Sequence, residues 1–596
     1  MKNDFRSSLL MAAFFMSIVM LWDHWRVYQG EPSMFAPRPA QVAQSTTPGK
    51  TVTRDVGAAG TPAAAASGAG DGAVAELKAE RVTVQTDVVK ATLDTRGGDL
   101  IDLDLLKFQE SDNHSEILAM AKRAIGMKVE SHPVGDVRVF DTAPGQYYVA
   151  QTGLSVRGSS QPLPQHTTVM RLVSPEREMA PGKDTLTLRF ESPDVGGVQL
   201  VKTYTFHRGS YAIDVRHEVV NHSGEPVSPD LYLQLVRDGR VPAGGYFSGP
   251  SSYTGPSVYR DGTFHKISFS DIDKGKEKDT IDPKASLDNG WVAMIQHYFS
   301  SAWILPKGAA RSYSVGHFDT DVHGVPTYFT AMFTPVGTVA PGQSKAVSAT
   351  LFAGPQEEDL LKPFDIGLEQ VKDYGLLKIV AQPLFSLLNL IHKVVGNWGW
   401  SIVVLVFLLK IAFYSLNANA YRSMAKMKAV NPRVQELRER YKDNPQQMQA
   451  ETMKIYREEK VNPFGGCLPI LIQMPIFIAL FTVLTSTVEM RGAPWIGWIH
   501  DLSIMDPYAI LPVLMTLSGL AQIALNPTPA DPTQARMMWI MPIVFSLALF
   551  SFPSGLVLYY VTNNLLTIVQ QWLINRQING PKAKDPKVSD AKVVKG

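Results

Sequence analysis

One charged residue stands inside a long apolar stretch of the chain, SIVVLVFLLKIAFYSL, residues 401–416. An ammonium group at the middle of a bilayer costs about 2.5–3.5 kcal/mol on insertion scales, so Lys410 needs a compensating environment. The long side chain could reach the polar membrane surface by snorkelling, or it could lie in a polar recess among the helices. We favour the recess because Tyr414, Asn417 and Tyr421 follow Lys410 at helical spacing as a polar stripe.

Other apolar segments of the last third contribute polar side chains that could line the same recess: Gln473, Thr482, Ser486, Thr516, Gln522, Thr562, Asn563 and Asn564. These segments contain no aspartate or glutamate that could pair with Lys410. Because proton relays and ion-coupled pumps use such carboxylates, this class of function is disfavoured. A positively charged, hydrated recess would instead receive the acidic or polar end of a polypeptide that enters the bilayer.

The remaining residues that could catalyse a reaction or bind a ligand do not predict a second site. His207, His217 and His222 are close in sequence, but histidines on strands are more often surface or rim residues than ligands. The single cysteine, Cys467, excludes an internal disulfide and a multi-cysteine metal site. The chain has no GxxxxGK[ST] stretch, and its net charge of +2 creates no global field for nucleic acid. We therefore predict no enzyme activity, no metal, no cofactor and no specific nucleic-acid site.

Five apolar segments of membrane-spanning type lie at 398–416, 468–488, 508–525, 537–553 and 554–575. A sixth apolar run, LLMAAFFMSIVMLW, lies within residues 1–26, and the tryptophans around its end favour a retained membrane anchor. A cleavable signal peptide is the alternative, because the fourteen residues of this run are fewer than the roughly twenty of a typical span. With the anchor, the sequence predicts six transmembrane helices, with residues 398–575 as the membrane core.

Basic residues predict the orientation of these helices. The loop 417–463 carries ten Lys/Arg and the tail 576–596 carries six, so both are expected in the cytoplasm. The loop 489–507 is acidic and holds two tryptophans, as an outer segment should. Both termini are then cytoplasmic, and the large region that precedes residue 398 lies outside, in the periplasm of a cell with two membranes.

Outside the apolar segments the chain changes character several times. Residues 27–78 have almost no large apolar side chains and predict a flexible linker. Residues 79–355 contain many runs with a period of two, such as YAIDVRHEVV, and predict a large antiparallel β-sandwich. The connector 356–397 contains an amphipathic segment with Pro383 inside it. This segment is either a helix that lies along the membrane interface or a core helix of the sandwich domain.

The basic loop has helical periodicity of its own. Apolar residues recur at steps of three and four, and KDNP interrupts them, which predicts a helical hairpin over 417–463. Met424, Met427 and Met448 lie on its apolar faces. Methionines of this kind pack between the two helices or form a surface that accepts varied apolar partners.

Three segments of the last third resemble the YidC family of membrane protein insertases, in its Gram-negative form with an anchor and a large periplasmic domain. They are EEKVNPFGGCLPILIQMPIFIALF (458–481), APWIGWIHDLSIMDPYAILPVLM (493–515) and FPSGLVLYYVTNNL (552–565). The resemblance implies an inner-membrane insertase and chaperone that inserts, folds and assembles integral membrane proteins, alone or with the Sec translocon. It also implies a hydrophilic groove open to the cytoplasm and to lipid, and a β-supersandwich for the periplasmic domain.

The resemblance also assigns roles to residues and partners. The groove is expected to include Lys410, Tyr414, Asn417, Gln473, Gln522 and Asn563, and the nascent chain is expected to contact Phe477, Met515, Tyr559 and Tyr560. The family usually has arginine where this chain has Lys410, so the charge is kept but the planar fork of donors is lost. The implied partners are nascent integral membrane proteins, the Sec translocon with its accessory subunits, the ribosome and membrane lipid.

Two other functions fit parts of the sequence. A small-solute transporter would explain the prolines that interrupt spans, Pro469, Pro475, Pro512 and Pro542, although the chain shows no internal repeat that links them. A membrane-tethered, sugar-modifying enzyme would place its activity in residues 79–355. Solute uptake by vesicles would identify the first, and activity of the isolated sandwich would identify the second.

Overall fold

The computed structural model describes residues 78–110, 135–143, 146–156, 161–240, 253–283, 285–322, 325–364, 366–375, 377–441, 444–459, 468–526 and 532–578. Four of the sequence predictions fall wholly or mostly outside these residues. They concern the N-terminal anchor within 1–26, the linker 27–78, the thiol of Cys467 and the basic tail 576–596.

The first part of the described chain is built of strands. They are β1 (Arg81–Gln85), β2 (Val89–Asp94), β3 (Asp99–Gln109), β4 (Asp136–Phe140), β5 (Tyr148–Ser155), β6 (Arg171–Leu172), β7 (Thr185–Glu191), β8 (Val198–His207), β9 (Ala212–Asn221), β10 (Asp230–Asp238), β11 (Gly255–Arg260), β12 (Thr263–Lys266), β13 (Trp291–Gln296), β14 (Phe299–Ile304), β15 (Ser312–Val322), β16 (Val325–Pro335) and β17 (Ser344–Pro355). The sequence prediction of a β-rich region is confirmed.

These strands form two antiparallel sheets that face each other. One has the order β1-β2-β3-β5-β10-β16-β15 with β4 paired to β3, and the other has the order β12-β11-β13-β14-β17-β9-β8-β7-β6. Alternation sets which side chains point inward: Leu186, Leu188 and Phe190 of β7 are buried, and the residues between them are exposed. Apolar residues from both sheets meet in one continuous core cluster, which defines the sandwich.

A polar cluster lies inside this sandwich. Lys202 of β8 has a fully buried side chain, and its Nζ donates to the carbonyl oxygen of Gly97, in the turn before β3, and to that of Thr152 on β5 of the opposite sheet. Asp99 Oδ1 lies 3.7 Å from the same Nζ. His217 of β9 contacts Thr152 Oγ1 through Nε2, at 2.9 Å. The cluster therefore joins the two sheets by hydrogen bonds as well as by apolar packing.

Helices follow the strands. They are α1 (Phe269–Asp273), α2 (Glu277–Thr280), α3 (Glu358–Leu361), α4 (Lys378–Val395), α5 (Trp398–Ala412), α6 (Tyr414–Arg440), α7 (Pro445–Glu458), α8 (Leu468–Ser486), α9 (Ile510–Leu525), α10 (Pro532–Ala548) and α11 (Ser554–Ile578), and 3₁₀ turns cover Lys362–Phe364, Leu368–Val371 and Val488–Met490. Helices α4, α5, α8, α9 and α11 share a second core cluster, which is separate from that of the sandwich.

The five apolar segments of the last third all contain helices, but the first is interrupted. Helix α5 ends at Ala412 and α6 begins at Tyr414. Among the described residues no single helix is both long enough and apolar enough to cross a bilayer, whereas Trp398–Ala412 and Tyr414–Met424 would suffice as a pair bent by 66°. The count of six spans therefore stays a prediction.

The connector segment forms α4, which runs through Pro383. Its buried residues Ala381, Phe385 and Leu388 pack into the helical core cluster, whereas Ile379 and Val394 on the other side are 90% and 83% exposed. The expectation of a core helix of the sandwich domain is therefore wrong. An apolar side left uncovered next to the helical core is consistent with the other expectation, a helix at the membrane interface.

Charged groups join the sandwich to the helices. Lys372, which is 2% exposed, donates from Nζ to both carboxylate oxygens of Glu489 at 3.0 and 3.1 Å, and it lies 3.7 Å from the centre of the Phe385 ring. Arg491 donates to the carbonyl oxygen of Gln109 on β3 at 2.8 Å. The two regions are thus connected through partly buried and exposed hydrogen bonds near the end of α8.

The predicted hairpin is formed by α6 and α7. Helix α7 begins at Pro445, and the side chain of Asn444 caps its N-terminus. The two helices contact each other through Val430, Val434 and Ile455, with Met427 packed against them. At least this methionine serves the packing between the two helices. Helix α6 continues directly from the bend after α5, so the hairpin is an extension of the helical region.

Candidate functional site

A small cavity lies beside Lys410 within the helical region. It has a volume of about 10 Å³, which is about the room that one water molecule needs. Its lining comes from helices α5, α6, α8 and α11 and consists of Val406, Leu409, Lys410, Phe413, Asn417, Gln473, Ile476, Tyr559 and Asn563. This cavity is much smaller than a groove that could hold a peptide, so the recess expected from the sequence stays a prediction.

The ammonium of Lys410 is held by one side chain. Its Nζ donates to Thr567 Oγ1 at 2.7 Å, and the Thr567 hydroxyl donates to the carbonyl oxygen of Asn563 at 2.6 Å. Thr567 is 4% exposed. None of the residues that line the cavity carries a carboxylate. The positive charge is therefore oriented by a neutral hydroxyl and is not balanced by a neighbouring acid in the cavity.

Further polar groups surround this pair. Asn417 Nδ2 lies 3.4 Å from Gln570 Oε1, a long hydrogen bond, and Gln473 Nε2 donates to Tyr559 Oη at 2.9 Å. Asn563 Oδ1 is buried and has no hydrogen-bond partner among the described residues. A buried acceptor without a partner costs free energy, so the site can still take a donor from water or from a bound chain.

Four of the six predicted groove residues meet at this cavity: Lys410, Asn417, Gln473 and Asn563. Tyr414 does not, because the chain bends at Phe413 and leaves the Tyr414 side chain 44% exposed. The polar stripe inferred from sequence assumed a continuous helix, so its step from Lys410 to Tyr414 is wrong. Gln522 lies on α9, is partly buried and does not line the cavity.

The residues predicted to contact a nascent chain form a partly aromatic group. The ring of Phe477 lies 6.3 Å from that of Tyr559 and 5.0 Å from that of Tyr560. Tyr559 is 2% exposed and Met515 is 3% exposed. Phe477 and Tyr560 are partly exposed, whereas Tyr559 and Met515 are covered in this conformation. Contact of a client with the two covered residues would require the helices to move apart.

The sequence analysis did not identify Thr567 and Gln570. These two residues of α11 contact Lys410 on α5 and Asn417 on α6. A signal was present, because Asn563, Thr567 and Gln570 follow one another at steps of four and three and therefore share one face of the helix. Polar residues at that spacing in an otherwise apolar helix point to a polar partner. Here the partner is the segment around Lys410 and Asn417.

Large apolar side chains cover the outside of the helical region. Those of α9 and α10 include Ile510, Val513, Leu514, Leu517, Trp539, Ile540, Met541, Ile543, Val544, Phe545 and Leu547, each at least 37% exposed. Exposed apolar surfaces of this size mark contact with a membrane or with another apolar partner. The charged cavity and this apolar surface thus belong to the same group of helices.

The three histidines that are close in sequence, His207, His217 and His222, do not form a common site. His207 contacts Asp214 at 2.9 Å and His222 contacts Asp194 at 3.1 Å, both at exposed positions. His217 is buried, and burial, followed by the charge of Lys202, lowers its pKa to about 3. The side chain of His217 therefore stays neutral inside the sandwich.

Two family models match the chain and together cover most of it. One, described as the 60Kd inner membrane protein, matches residues 390–582, and the other, described as the YidC periplasmic domain, matches residues 81–387. The first match contains the cavity around Lys410. The second contains both sheets of the sandwich.

Several similar proteins match this chain over nearly its full length. A membrane protein insertase YidC of Ralstonia nicotianae is 47% identical over 585 residues, with 97% of this chain and 99% of the relative covered. One of Burkholderia multivorans is 47% identical over 584 residues, with coverage of 98% and 100%. A crystal structure of an active YidC insertase matches with a TM-score of 0.37 and 18% identity, and the match covers 82% of this chain and 91% of that one.

Proposed function

The chain belongs to the YidC family of membrane protein insertases, and we propose that it inserts its clients through the recess around Lys410. It is a membrane protein insertase, and its sandwich corresponds to the periplasmic domain of the family. The observation that supports the proposed route is the Lys410 ammonium, held inside the helical region by one hydroxyl beside a cavity without carboxylates.

The ammonium offers more donors than the protein uses. It has three N–H groups, and among the described residues one hydrogen bond reaches a side chain, Thr567. An incoming carboxylate or peptide carbonyl would find a positive charge and unused donors. Because a charge-assisted hydrogen bond is about twice as strong as a neutral one, this contact would favour acidic or polar flanks.

The cavity is too small for a client as it stands, so insertion requires the helices around it to separate. A polar flank could then dip into the opened recess and avoid part of the unfavourable path through hydrocarbon. The apolar segment that follows would leave sideways into lipid, at a gain of about 25 cal/mol per Å² of apolar surface removed from water. This route needs no nucleotide hydrolysis, consistent with the missing P-loop motif.

The finer layout is part of the same proposal. We place five membrane-spanning helices in the core and one in the N-terminal anchor, with both termini in the cytoplasm and the sandwich, of the supersandwich type, in the periplasm. The domain boundaries are those inferred from the sequence. The basic hairpin 417–463 would capture nascent chains and contact the ribosome, and the Sec translocon would bind partly through the periplasmic domain.

The solute-transporter alternative is not favoured, because relatives that match nearly the whole chain are insertases. The same relatives weaken the alternative of a sugar-modifying enzyme, which would need only the sandwich. Clients of this insertase are integral membrane proteins.

The proposal can be tested by changing the charge at Lys410 in the full chain. Lys410→Ala should lower insertion of a client with an acidic flank by about tenfold, the effect of losing one charge-assisted interaction of about 1.4 kcal/mol, whereas Lys410→Arg should retain insertion. Insertion would be measured by protease protection of a radiolabelled client in vesicles that contain the purified variant. Lys378→Ala is the matched control, because Lys378 is an exposed lysine of α4 away from the cavity. Equal insertion by all four proteins would contradict the proposed route.

A further inference from the structure

We propose that Thr567 is a positioning residue that holds the Lys410 ammonium in the recess. The proposal rests on the proposed function, because it concerns how the same charge is presented to a client. Thr567 lies outside the cavity lining and acts through Lys410, so its role differs from that of a residue that touches the client.

The hydrogen bonds around Thr567 can run in one direction only. An ammonium can donate but cannot accept, so in the 2.7 Å contact the Thr567 hydroxyl accepts from Lys410 Nζ. The single hydroxyl proton is then available for the carbonyl oxygen of Asn563, which lies 2.6 Å away and can only accept. The sequence of donors is therefore Lys410 to Thr567 to Asn563. A lone pair of the hydroxyl is fixed toward the ammonium.

Threonine is suited to this task by its stiffness. A β-branched side chain has few χ1 rotamers in a helix, and the bond from Oγ1 to the carbonyl four residues earlier selects one of them. Burial of Thr567 at 4% exposure restricts it further. Lysine, by contrast, has a flexible four-carbon stem that can snorkel to the membrane surface. A rigid acceptor on α11 keeps the flexible lysine of α5 within the helical region.

Helix α11 holds the chain on both sides of the bend. Thr567 contacts Lys410 before the bend, and Gln570, one turn later, contacts Asn417 after it. Both contacts come from the same face of α11. Neighbouring polar groups of one helix thus contact both the charge and the segment that follows the bend.

The test uses the full chain in vesicles and two clients that differ only in an acidic or an uncharged flank. Thr567→Val keeps the shape and removes the hydroxyl, so it should lower insertion of the acidic-flank client by about tenfold, as expected for loss of a hydrogen bond to a charged group. Insertion of the uncharged-flank client should change little. Thr567→Ser retains the hydroxyl and should restore insertion of the acidic-flank client.

A matched control removes the same type of bond elsewhere. Thr485 of α8 also donates from its hydroxyl to the carbonyl four residues earlier, that of Phe481 at 2.8 Å, but it does not contact Lys410. Thr485→Val should insert both clients normally. If it lowers insertion of the acidic-flank client as much as Thr567→Val does, the effect belongs to helix stability and the positioning role is overturned.

The double variant separates the two proposals. In a Lys410→Ala background, Thr567→Val should cause no further loss, because the group it positions is gone. An additional loss of similar size would overturn the positioning role. If Lys410→Ala inserts normally, the proposed route fails, whereas a defect of Lys410→Ala together with normal insertion by Thr567→Val refutes only the role of Thr567.

Discussion

Two lysines lie inside two different regions of this molecule, and their surroundings differ. Lys202 is between the sheets of the sandwich, where its side chain has no exposed surface and its Nζ meets two carbonyl oxygens and, at 3.7 Å, a carboxylate. Lys410 is partly exposed in the helical region, donates to one hydroxyl and lines a cavity without a carboxylate. A charge with most of its donors engaged stabilises a fold, whereas a charge with unused donors can bind something else.

Burial and opposite charge shift the pKa values of Lys202 and Asp99 inside the sandwich. Burial lowers the pKa of Lys202 to about 8, against the opposing charge of Asp99, and burial raises the pKa of Asp99 to about 7, against the opposing charge of Lys202. Burial thus destabilises the charged form of each group, and the charge of its partner offsets part of this cost. Removal of one partner would leave the other buried and uncompensated.

The largest expected effect is therefore on the stability of the sandwich. Lys202→Met should lower the free energy of unfolding by about 3–5 kcal/mol, because the carbonyl oxygens of Gly97 and Thr152 lose their donor and the carboxyl group of Asp99 loses the opposite charge beside it. Hydrogen exchange of β8 and β9 in the full chain would measure the loss. Lys90→Met, at an exposed position of β2, should change stability by less than about 0.5 kcal/mol. If Lys410→Met destabilised the protein as much as Lys202→Met, the contrast between the two lysines would be wrong.

A smaller effect concerns pH. Because the pKa of Asp99 rises from 3.8 to about 7 on folding, the folded state binds this proton more tightly, and the contribution of Asp99 to stability falls as pH increases from about 4 to 7. The slope for one group is at most about 1.4 kcal/mol per pH unit. Asp99→Asn should remove this part of the pH dependence, as measured by hydrogen exchange of β3 at several pH values. An unchanged pH profile would show that Asp99 does not titrate in this range.

The smallest effect is expected at another buried lysine, which lies between the two regions. Lys372 has a dedicated partner in Glu489, whose side chain is 16% exposed, so water can replace part of the lost interaction. A double-mutant cycle with Lys372→Met and Glu489→Gln should give a coupling energy of about 1 kcal/mol in thermal unfolding of the full chain. Insertion should be affected less than by Lys410→Ala. A coupling near zero would mean that this pair does not help to join the sandwich to the helices.

Several features could be predicted because they depend on local pattern. Alternation along β9 depends only on the geometry of a strand, so the run YAIDVRHEVV predicted a strand of the sandwich. The apolar segments likewise identified α5 and α8–α11, because a continuous apolar run needs a helix to satisfy its backbone in a membrane. The meeting of Lys410, Asn417, Gln473 and Asn563 was inferred from their polarity in these segments and from the family resemblance.

Other features were not predictable from the same patterns. The bend at Phe413 occurs without a proline or a glycine, the residues at which helices usually bend. Because of this bend, Tyr414 does not line the cavity. Whether Met515 and Tyr559 are covered depends on how tightly neighbouring helices pack. The burial of Lys202 inside a strand also had no signal, since its partners, Gly97 and Thr152, lie 105 and 50 residues away along the chain.

The sequence by itself determined the types of the elements, the chemistry available to them and the membership of the insertase family. These follow from residue periodicity, from apolar run length and from motifs, which are all properties of short stretches of chain. Only the tertiary structure decided which polar groups meet, and therefore that Lys202 meets two carbonyl oxygens and a carboxylate while Lys410, among the described residues, meets one hydroxyl. Hydrogen bonds act over about 3 Å, so the identity of a partner depends on how distant segments are folded against each other.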